Sequence, residues 1–255
     1  MPDVIQGGNG GAPWRTAAEV ALGQGYNLGL FAYPGAGKTI LAASAPRPLI
    51  LDVDLTASKS LTDRPDVQLI SGYTTWDEWK QRSDWLLDRV GTPALPFDTF
   101  SWDTVTSLHN LAALKEAGPG RSPDIQQWGR ANTMVDEVIK DWVDAANTKG
   151  INVIFACHVV EERDGETGPL LIRLALTPGS RTNLYRRVDT IGYLEVHPLS
   201  QKRKLILKST GKTIGKHHQP MTAEMRIPLE IEEPNLSKIF RAMKWAAEQS
   251  AQKEK

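Results

Sequence analysis

The stretch AYPGAGKT, residues Ala32 to Thr39, follows the apolar run YNLGLF and precedes a segment that is compatible with a helix. Its end matches the pattern G-x-x-x-x-G-K-[ST], in which backbone N–H groups wrap phosphates at a helix N-terminus, the lysine reaches the terminal phosphates and the hydroxyl binds Mg²⁺. Ala32 replaces the first glycine at the end of the preceding strand, where a small side chain is often sufficient. Gly35 and Gly37 leave the backbone free to approach an anion. The stretch therefore predicts a site for ATP and Mg²⁺ that is formed by Pro34, Gly35, Ala36, Gly37, Lys38, Thr39 and Ile40.

The composition of the chain limits its partners. The 255 residues include 30 Lys and Arg and 30 Asp and Glu, so the whole molecule does not attract polyanions and any nucleic-acid binding has to be local. No apolar run approaches the roughly 18 residues that a membrane helix needs, and the first residues lack the regions of a secretory signal. The lone Cys157 excludes an intramolecular disulfide. We expect a soluble, cytoplasmic protein.

Hydrophobic patterning predicts a parallel α/β fold up to His158. Apolar runs that end in turns or acids, without alternation, are typical of strands covered on both faces. The predicted strands are YNLGLFAY, PLILDVD, DVQLIS, FDTFSWD and INVIFACH. A capping box at Thr75 and Glu78 opens one helix, whose tryptophans we expect in the core. A long helix from about Asp124 to Thr148 has an apolar face that begins with Ile125.

The rest of the chain has a different pattern. LLIRLAL, TIGYLEVH and RKLILKS are short apolar runs separated by turn residues, which predicts antiparallel hairpins. From Asn235 onward, apolar residues at helical spacing predict a closing helix before the polar tail AEQSAQKEK. The sequence thus predicts a flexible leader (1–20), an α/β core (21–230) and a C-terminal helix and tail (231–255). In this core, a mostly parallel sheet has helices on both faces and an antiparallel hairpin annex.

Polar residues at three predicted strand ends are candidates for catalysis. Asp103 closes FDTFSWD and is the carboxylate expected to hold Mg²⁺ together with Thr39. Asp54 closes the second strand and could act as a general base or orient an attacking water, although a role as a helix cap or loop acid is the alternative. His158 could sense the terminal phosphate, or simply bond a carbonyl. Asp98 begins its strand and is expected at the far edge of the sheet, as a solvated acid.

The order of these motifs resembles the RecA-type core. The loop GAGKT is followed by a strand ending in Asp-Val-Asp, then by FDTFSWDTVTSL, then by INVIFACH, where recombinases end the strand with a polar sensor that is usually Gln. The combination of APRPLILDVD, SPDIQQWGRANTMV and RTNLYRRVDTIGYLEV resembles phage-encoded RecA-like P-loop ATPases, a group that includes single-strand annealing proteins of the Sak class. The likeness spans roughly Tyr26 to Ile227.

The resemblance implies an ATP-dependent protein that binds single-stranded DNA in phage recombination, in the cytoplasm of a bacterial host. It also implies a homo-oligomer, either ring or filament, and a single-strand DNA-binding protein as partner. In recombinases one DNA-contacting loop follows the sensor strand, which here corresponds to residues 160–181. The part EERDGETG is more acidic than basic, which departs from that expectation. The basic candidates near this segment are Arg173, Arg181, Arg186 and Arg187.

The most basic stretch of the chain is QKRKLILKSTGKTIGKHH. Lys202, Arg203 and Lys204 are candidates for contacts with backbone phosphates, each of which adds to the salt dependence of binding. The resemblance implies for Lys208 a different role, reaching across a subunit boundary to the neighbour's ATP. A solvated edge hairpin, whose lysines prevent edge-to-edge pairing, is the alternative.

Two other functions use the same loop. A small-molecule P-loop kinase usually carries an Arg-rich lid, and EERDGETG has a single arginine, which argues against it. A non-catalytic module, in which ATP stabilises an oligomer or adaptor, remains open because Asp54 is one methylene shorter than the Glu of recombinases. The adjacent His217 and His218 have no Cys or carboxylate at metal-ligand spacing, so the sequence does not indicate a zinc site.

Overall fold

A computed structural model describes residues 17–218 and 227–253 of the chain. The strands are Asn27–Phe31 (β1), Pro48–Asp52 (β2), Gln68–Ile70 (β3), Thr99–Asp103 (β4), Asn152–Cys157 (β5), Val159–Arg163 (β6), Leu170–Leu174 (β7), Thr190–Val196 (β8), Arg203–Ile206 (β9), Lys216–His217 (β10) and Glu230–Glu232 (β11). The helices are Ala17–Leu22 (α1), Lys38–Ala43 (α2), Ala57–Ser60 (α3), Trp76–Leu87 (α4), Val105–Ala117 (α5), Ile125–Lys149 (α6), Pro178–Arg187 (α7) and Leu236–Lys253 (α8).

The central sheet is mostly parallel. Its order is β11-β9-β8-β1-β5-β4-β2-β3, with β10 paired to β8. The strands from β8 to β3 in this order run parallel, whereas β9, β10 and β11 pair in antiparallel fashion. β5 therefore lies between β1, which leads into the phosphate loop, and β4, which ends in Asp103. Because parallel strands end at one edge, this order gathers the ends of β1, β2, β4 and β5.

Helices cover both faces of the sheet, which explains why β1, β2 and β4 are buried along their whole length. Successive residues of β1 belong to different cores: Leu30 packs on one face and Phe31 on the other. The core around Phe31 includes residues of α4 to α7, and that around Leu30 includes residues of α2 and α8. The predicted α/β class, with a mostly parallel sheet, helices on both faces and an antiparallel hairpin, is confirmed.

The capping box that the sequence predicts is present at the start of α4. Thr75 Oγ1 accepts a hydrogen bond from the Glu78 N–H at 3.3 Å, and Glu78 Oε2 accepts one from the Thr75 N–H at 3.2 Å. Thr75→Ala should lower the free energy of unfolding by about 1 kcal/mol, because one N–H of the first turn loses its acceptor. Urea unfolding measures this difference. Thr133→Ala, on an exposed turn inside α6, is the control and should change stability by less than about 0.5 kcal/mol.

The strands after His158 form only in part the antiparallel hairpins that the sequence predicts. β8 joins the central sheet parallel to β1 and forms the predicted hairpin with β9. β6 and β7 form a separate two-stranded sheet. A helix that the apolar pattern does not predict is α7, which Thr177 caps and which begins with a proline. Ile125 was wrongly placed on the apolar face of α6: it is the first residue of the helix and is 90% exposed.

The ends of the core also differ from the predicted boundaries. Residues 1–16 of the expected leader lie outside the described part of the chain, but α1 already begins at Ala17 and packs against α8. β11 pairs with β9, and Leu236 and Phe240 of α8 are buried in the core around Leu30. The predicted polar tail is helical as far as Lys253. β11 and the first turns of α8 are therefore part of the folded core. None of the helices in the described ranges combines the length and the apolar character that crossing a membrane requires.

Candidate nucleotide-binding site

The phosphate loop connects β1 to α2 at the carboxyl edge of the sheet. Ala32 is fully buried where β1 ends, which explains why a small residue is sufficient there. Gly35 and Gly37 have φ angles of 78° and 94°, in the left-handed region that favours glycine. Gly37 is the N-cap of α2, so the helix begins at Lys38. The loop thus directs the N-terminus of α2, with its unpaired N–H groups, toward the carboxyl edge.

A cavity of about 330 Å³ opens beside this loop. We call it the loop cavity, and its lining residues are Pro34, Gly35, Gly37, Lys38, Thr39, Ile40, Asp54, Thr56, Ser60, Asp103 and His158. Every residue that the sequence predicts for catalysis is in this set, as are the predicted nucleotide ligands except Ala36 and Lys208. Titratable groups from four separate segments therefore meet at one cavity.

Lys38 is only 6% exposed, and its ammonium is held by the loop itself. Its Nζ donates to the carbonyl oxygens of Ala32 at 3.0 Å and Tyr33 at 3.3 Å, and lies 3.5 Å from Nδ1 of His158. Burial lowers the pKa of Lys38, and the negative charge of Asp103 partly opposes this effect. The lysine is a buried cation that an anion in the cavity would stabilise.

Thr39 and Asp103 form the pair expected to hold a metal. Thr39 Oγ1 donates to Asp103 Oδ2 at 2.5 Å, which joins the first turn of α2 to the end of β4. Burial raises the pKa of Asp103, and the neighbouring charge of Asp54 adds to the effect, while the hydrogen bond from Thr39 opposes it. A hydroxyl and a carboxylate at this distance are oxygen ligands of the kind that Mg²⁺ prefers. The residues present therefore fit a magnesium ion, whose double charge would also favour ionised Asp103.

Asp54 faces the loop cavity and does not cap a helix. Its Oδ2 lies 3.0 Å from Nε2 of His158, and its Oδ1 accepts a hydrogen bond from Thr104 Oγ1 at 3.2 Å. Since Lys38 can only donate to Nδ1 of His158, the imidazole proton belongs on Nε2, from which it is donated to Asp54. Burial alone would raise the pKa of Asp54, but hydrogen bonds from His158, Ser107 and Thr104 outweigh it and lower the pKa.

The two other strand acids have structural roles. Asp52 caps α3, because its carboxylate accepts hydrogen bonds from the N–H groups of Thr56 and Ala57, both at 3.1 Å. Asp98 lies where β4 begins, and its carboxylate pairs with Arg47 there. Asp98 thus lies at the far edge of the sheet, as predicted, but its carboxylate is half-buried and bound to Arg47.

The sequence analysis missed the hydroxyls around Asp54 and His158. Thr104, Ser107 and Thr106 follow β4 in the first turn of α5, where Thr106 Oγ1 accepts a hydrogen bond from the His158 N–H at 3.0 Å. Thr56 and Ser60 add hydroxyls to the wall of the loop cavity. The run DTVTS was visible as a helix N-terminus, but only the fold shows which acid and which histidine it supports.

Several candidate DNA contacts form ion pairs within the protein. Arg181 is 7% exposed and forms a bidentate pair with Glu162 at 2.7 and 2.8 Å. Arg187 is paired in the same manner with Asp136. Lys204 lies between Glu230 and Glu232 of β11. These guanidinium and ammonium groups would have to break ion pairs before they could bind a phosphate backbone.

Arg203 was also assigned to DNA, but its side chain turns toward the phosphate loop. Its Nε donates to the Ala36 carbonyl oxygen at 3.2 Å. A Cβ at Gly37 would lie 2.5 Å from that Nε, so the loop and the guanidinium are in direct contact. Arg203 is therefore part of the surroundings of the loop.

The remaining basic candidates are exposed or half-buried, although Arg173 and Lys208 also form ion pairs, with Glu162 and Glu230. Arg186 and Lys202 are exposed, and Arg173 is half-buried beside Glu162 at 3.4 Å. Lys208 is exposed, pairs with Glu230 at 2.8 Å, and does not line the loop cavity of its own chain. These four residues stay candidates for contact with other molecules.

Comparison with known proteins places the chain in a family. No curated protein sequence matches it. Among solved structures it is similar to the RadB recombinase, with 18% identity, 77% of this chain and 83% of that chain covered, and a TM-score of 0.47. It is also similar to a KaiC-like protein from the hyperthermophilic archaeon Pyrococcus horikoshii, with 12% identity, 73% and 80% covered, and a TM-score of 0.41. The AAA domain family matches residues 24–218, which include the phosphate loop, Asp54, Asp103 and His158. The chain therefore belongs to the AAA domain family.

Proposed function

We propose that this protein binds and hydrolyses ATP with Mg²⁺ and couples the state of the nucleotide to binding of single-stranded DNA. The observation that carries the proposal is the meeting of Lys38, Thr39, Asp54, Asp103 and His158 at the loop cavity. Such a set combines an anion-binding loop with metal-binding oxygens and a second carboxylate. A cavity that only binds a phosphate would need neither the metal-binding oxygens nor the second carboxylate.

Three residues hold the nucleotide and its metal in this proposal. Lys38 exchanges the carbonyl oxygens of Ala32 and Tyr33 for phosphate oxygens, and Thr39 and Asp103 hold Mg²⁺. The metal supplies charge neutralisation on the transferred phosphoryl group when it is bound. Because Lys38 is buried, its charge acts through little water and attracts the phosphate more strongly than a surface lysine would.

Asp54 is better suited to orient the attacking water than to remove its proton. Hydrogen bonds from His158, Ser107 and Thr104 lower its pKa, and a weaker base accepts a proton less readily. The water oxygen bonds to the γ-phosphorus as the bond to the β,γ-bridging oxygen breaks, and the proton of the water passes to phosphate. His158 holds Asp54 in place and is itself held by Lys38, so phosphate binding at Lys38 alters the bonds of His158.

A link from the site toward DNA supports the second part of the proposal. His158 directly precedes β6, its carbonyl oxygen accepts a hydrogen bond from Ala175, and Tyr33 of the loop donates to Glu161 on β6. The β6–β7 hairpin is thus hydrogen-bonded to the site at two places, through His158 and through Tyr33. The tip of this hairpin is acidic, so DNA contacts are assigned to Arg173, Arg186 and Lys202.

The finer biological role follows the family resemblance. We propose single-strand annealing in phage recombination, inside the bacterial host cytoplasm, with a single-strand DNA-binding protein as partner. The protein acts as a homo-oligomer, ring or filament, in which Lys208 reaches the ATP of a neighbouring subunit. The exposure of Lys208 and its distance from its own loop cavity support this trans role.

Asp54→Asn tests the proposed hydrolysis. We expect the variant to bind ATP about as tightly as the wild type but to turn it over about 100-fold more slowly, because the amide orients water less well and changes the bonds with His158. Turnover is measured as phosphate release with and without single-stranded DNA, and ATP affinity by calorimetry. DNA should stimulate the wild type, and DNA affinity should fall as salt rises.

Asp98→Asn is the matched control, since Asp98 is a partly exposed acid at the opposite edge of the sheet. Its turnover should equal that of the wild type. Failure of the wild type to bind ATP would refute the proposal as a whole. ATP binding without turnover would favour the non-catalytic module, and absence of DNA binding at low salt would remove the DNA function.

A further inference from the structure

Arg203 is the first residue of β9 and reaches the phosphate loop across 167 residues of sequence. Its Nε donates to the Ala36 carbonyl oxygen at 3.2 Å, and its terminal nitrogen Nη2 would lie 3.1 Å from a Cβ at Gly37. The guanidinium thus lies in contact with the peptide that joins these two loop residues. No motif of the loop predicts this contact.

The contact decides how that peptide is oriented. In a trans peptide the carbonyl oxygen and the next N–H point in opposite directions. When Arg203 binds the Ala36 carbonyl oxygen on one side of the loop, the N–H of Gly37 is directed to the other side. Gly37 lines the loop cavity and precedes Lys38, so this N–H belongs to the group that cradles a phosphate.

The backbone of Arg203 is itself firmly held. Its N–H donates to Glu233 Oε1 at 2.7 Å, and its carbonyl oxygen accepts a hydrogen bond from the Glu233 N–H at 2.8 Å. Across the hairpin, Arg203 is paired with Val196 at the carboxyl end of β8. A side chain that starts from such a fixed point can hold a loop peptide in one orientation.

The positive charge of Arg203 is not neutralised by an ion pair within the described residues, whereas that of its neighbour Lys204 is. Lys204 forms ion pairs with Glu230 and Glu232, whereas the Arg203 side chain has no carboxylate within ion-pair distance among the described residues. A guanidinium has five N–H donors, and within residues 17–218 and 227–253 the one acceptor of this side chain is the Ala36 carbonyl oxygen. The positive charge therefore remains available to an anion on the loop.

We propose that Arg203 is a positioning residue of the nucleotide site, which orients the Ala36–Gly37 peptide for phosphate binding and adds positive charge beside the loop. This inference rests on the proposed nucleotide binding. It assigns to the β8–β9 hairpin a part in the affinity for nucleoside di- and triphosphates, in addition to closing the sheet. A shift of the hairpin would change the loop, and nucleotide binding would in turn order the hairpin.

The test compares Arg203→Gln, Arg203→Lys and Lys204→Gln with the wild type. Calorimetry gives the dissociation constants of ATP and ADP, and phosphate release gives KM and kcat. We expect Arg203→Gln to bind both nucleotides about tenfold more weakly, the loss typical of one charge-assisted hydrogen bond, with a raised KM and a nearly unchanged kcat. Arg203→Lys keeps the charge and should recover part of the affinity. Lys204→Gln removes a charge from the same strand and should bind like the wild type.

Thermal unfolding of each variant separates positioning from structural damage. The proposal requires that Arg203→Gln lose affinity while its melting temperature stays within a few degrees of that of Lys204→Gln. Wild-type affinity in a folded Arg203→Gln would overturn it. Equal weakening of Arg203→Gln and Lys204→Gln would overturn it as well, since the effect would then be a general one of charge on β9. Absence of nucleotide binding in the wild type would instead overturn the proposed function.

Discussion

Lys38→Ala is expected to weaken ATP binding at least about 100-fold and to abolish measurable hydrolysis. The ammonium of Lys38 is the buried cation at the base of the loop cavity, and no other lysine or arginine lines that cavity in the described chain. Removing it takes away both a charge-assisted bond to phosphate and the donor that faces Nδ1 of His158. Calorimetry with ATP and an assay of phosphate release measure the two losses.

The same variant should not be less stable than the wild type. Burial lowers the pKa of Lys38, which means that the folded protein holds this charge at a cost in free energy. Lys140→Ala, on the exposed face of α6, is the control and should retain nucleotide affinity and turnover. Near-wild-type ATP affinity in Lys38→Ala would show that the loop is not the nucleotide site.

Trp102→Ala is expected to lower the free energy of unfolding by about 3–5 kcal/mol, the largest effect on stability that we predict. Trp102 is fully buried in β4, one residue before Asp103, and its ring packs edge-on against Trp79, Trp142 and Phe155. Truncation would leave a cavity between α4, α6 and the sheet. Urea unfolding followed by far-UV circular dichroism measures the change.

Trp85→Ala provides a matched control. Trp85 lies on α4 as Trp79 does, but it is 49% exposed and its ring contacts the guanidinium of Arg89. Its loss should cost less than about 1 kcal/mol, because an exposed cation–π contact contributes little. Equal losses from the two substitutions would contradict a core centred on Trp102.

Much of the architecture could be predicted because the signals are local. The strands β1, β2 and β4 are continuous apolar runs since helices cover both faces, and Thr75 and Asp124 begin helices by capping the first turn. The helix α7 was missed because its polar sequence has no clear apolar stripe. The partner of β8 was missed because the apolar pattern of a strand does not depend on whether its neighbour is parallel.

The sequence could predict that Asp54, Asp103 and His158 meet, because it places each of them at the end of a strand. Asp103 ends a buried strand, Asp54 and His158 follow the ends of two others, and parallel strands bring their carboxyl ends to one edge. The sequence could not divide the roles of Asp52 and Asp54, which are two residues apart. Asp52 accepts hydrogen bonds from the N–H groups of Thr56 and Ala57, where α3 begins, whereas Asp54 accepts one from the hydroxyl of Thr104. These partners, which the fold brings into reach, give the two acids their different roles.

By itself, the sequence determined the class of fold, the phosphate loop and the acids at the strand ends, because these depend on patterning and on neighbours within a few residues. Only the tertiary structure decided the partners of the basic residues. Glu162 and Asp136 neutralise Arg181 and Arg187, and Arg203 turns to the loop that ends at Thr39. A long charged side chain interacts with whatever the fold brings within a few ångströms, and the partners of these arginines are 19 to 167 residues away along the chain.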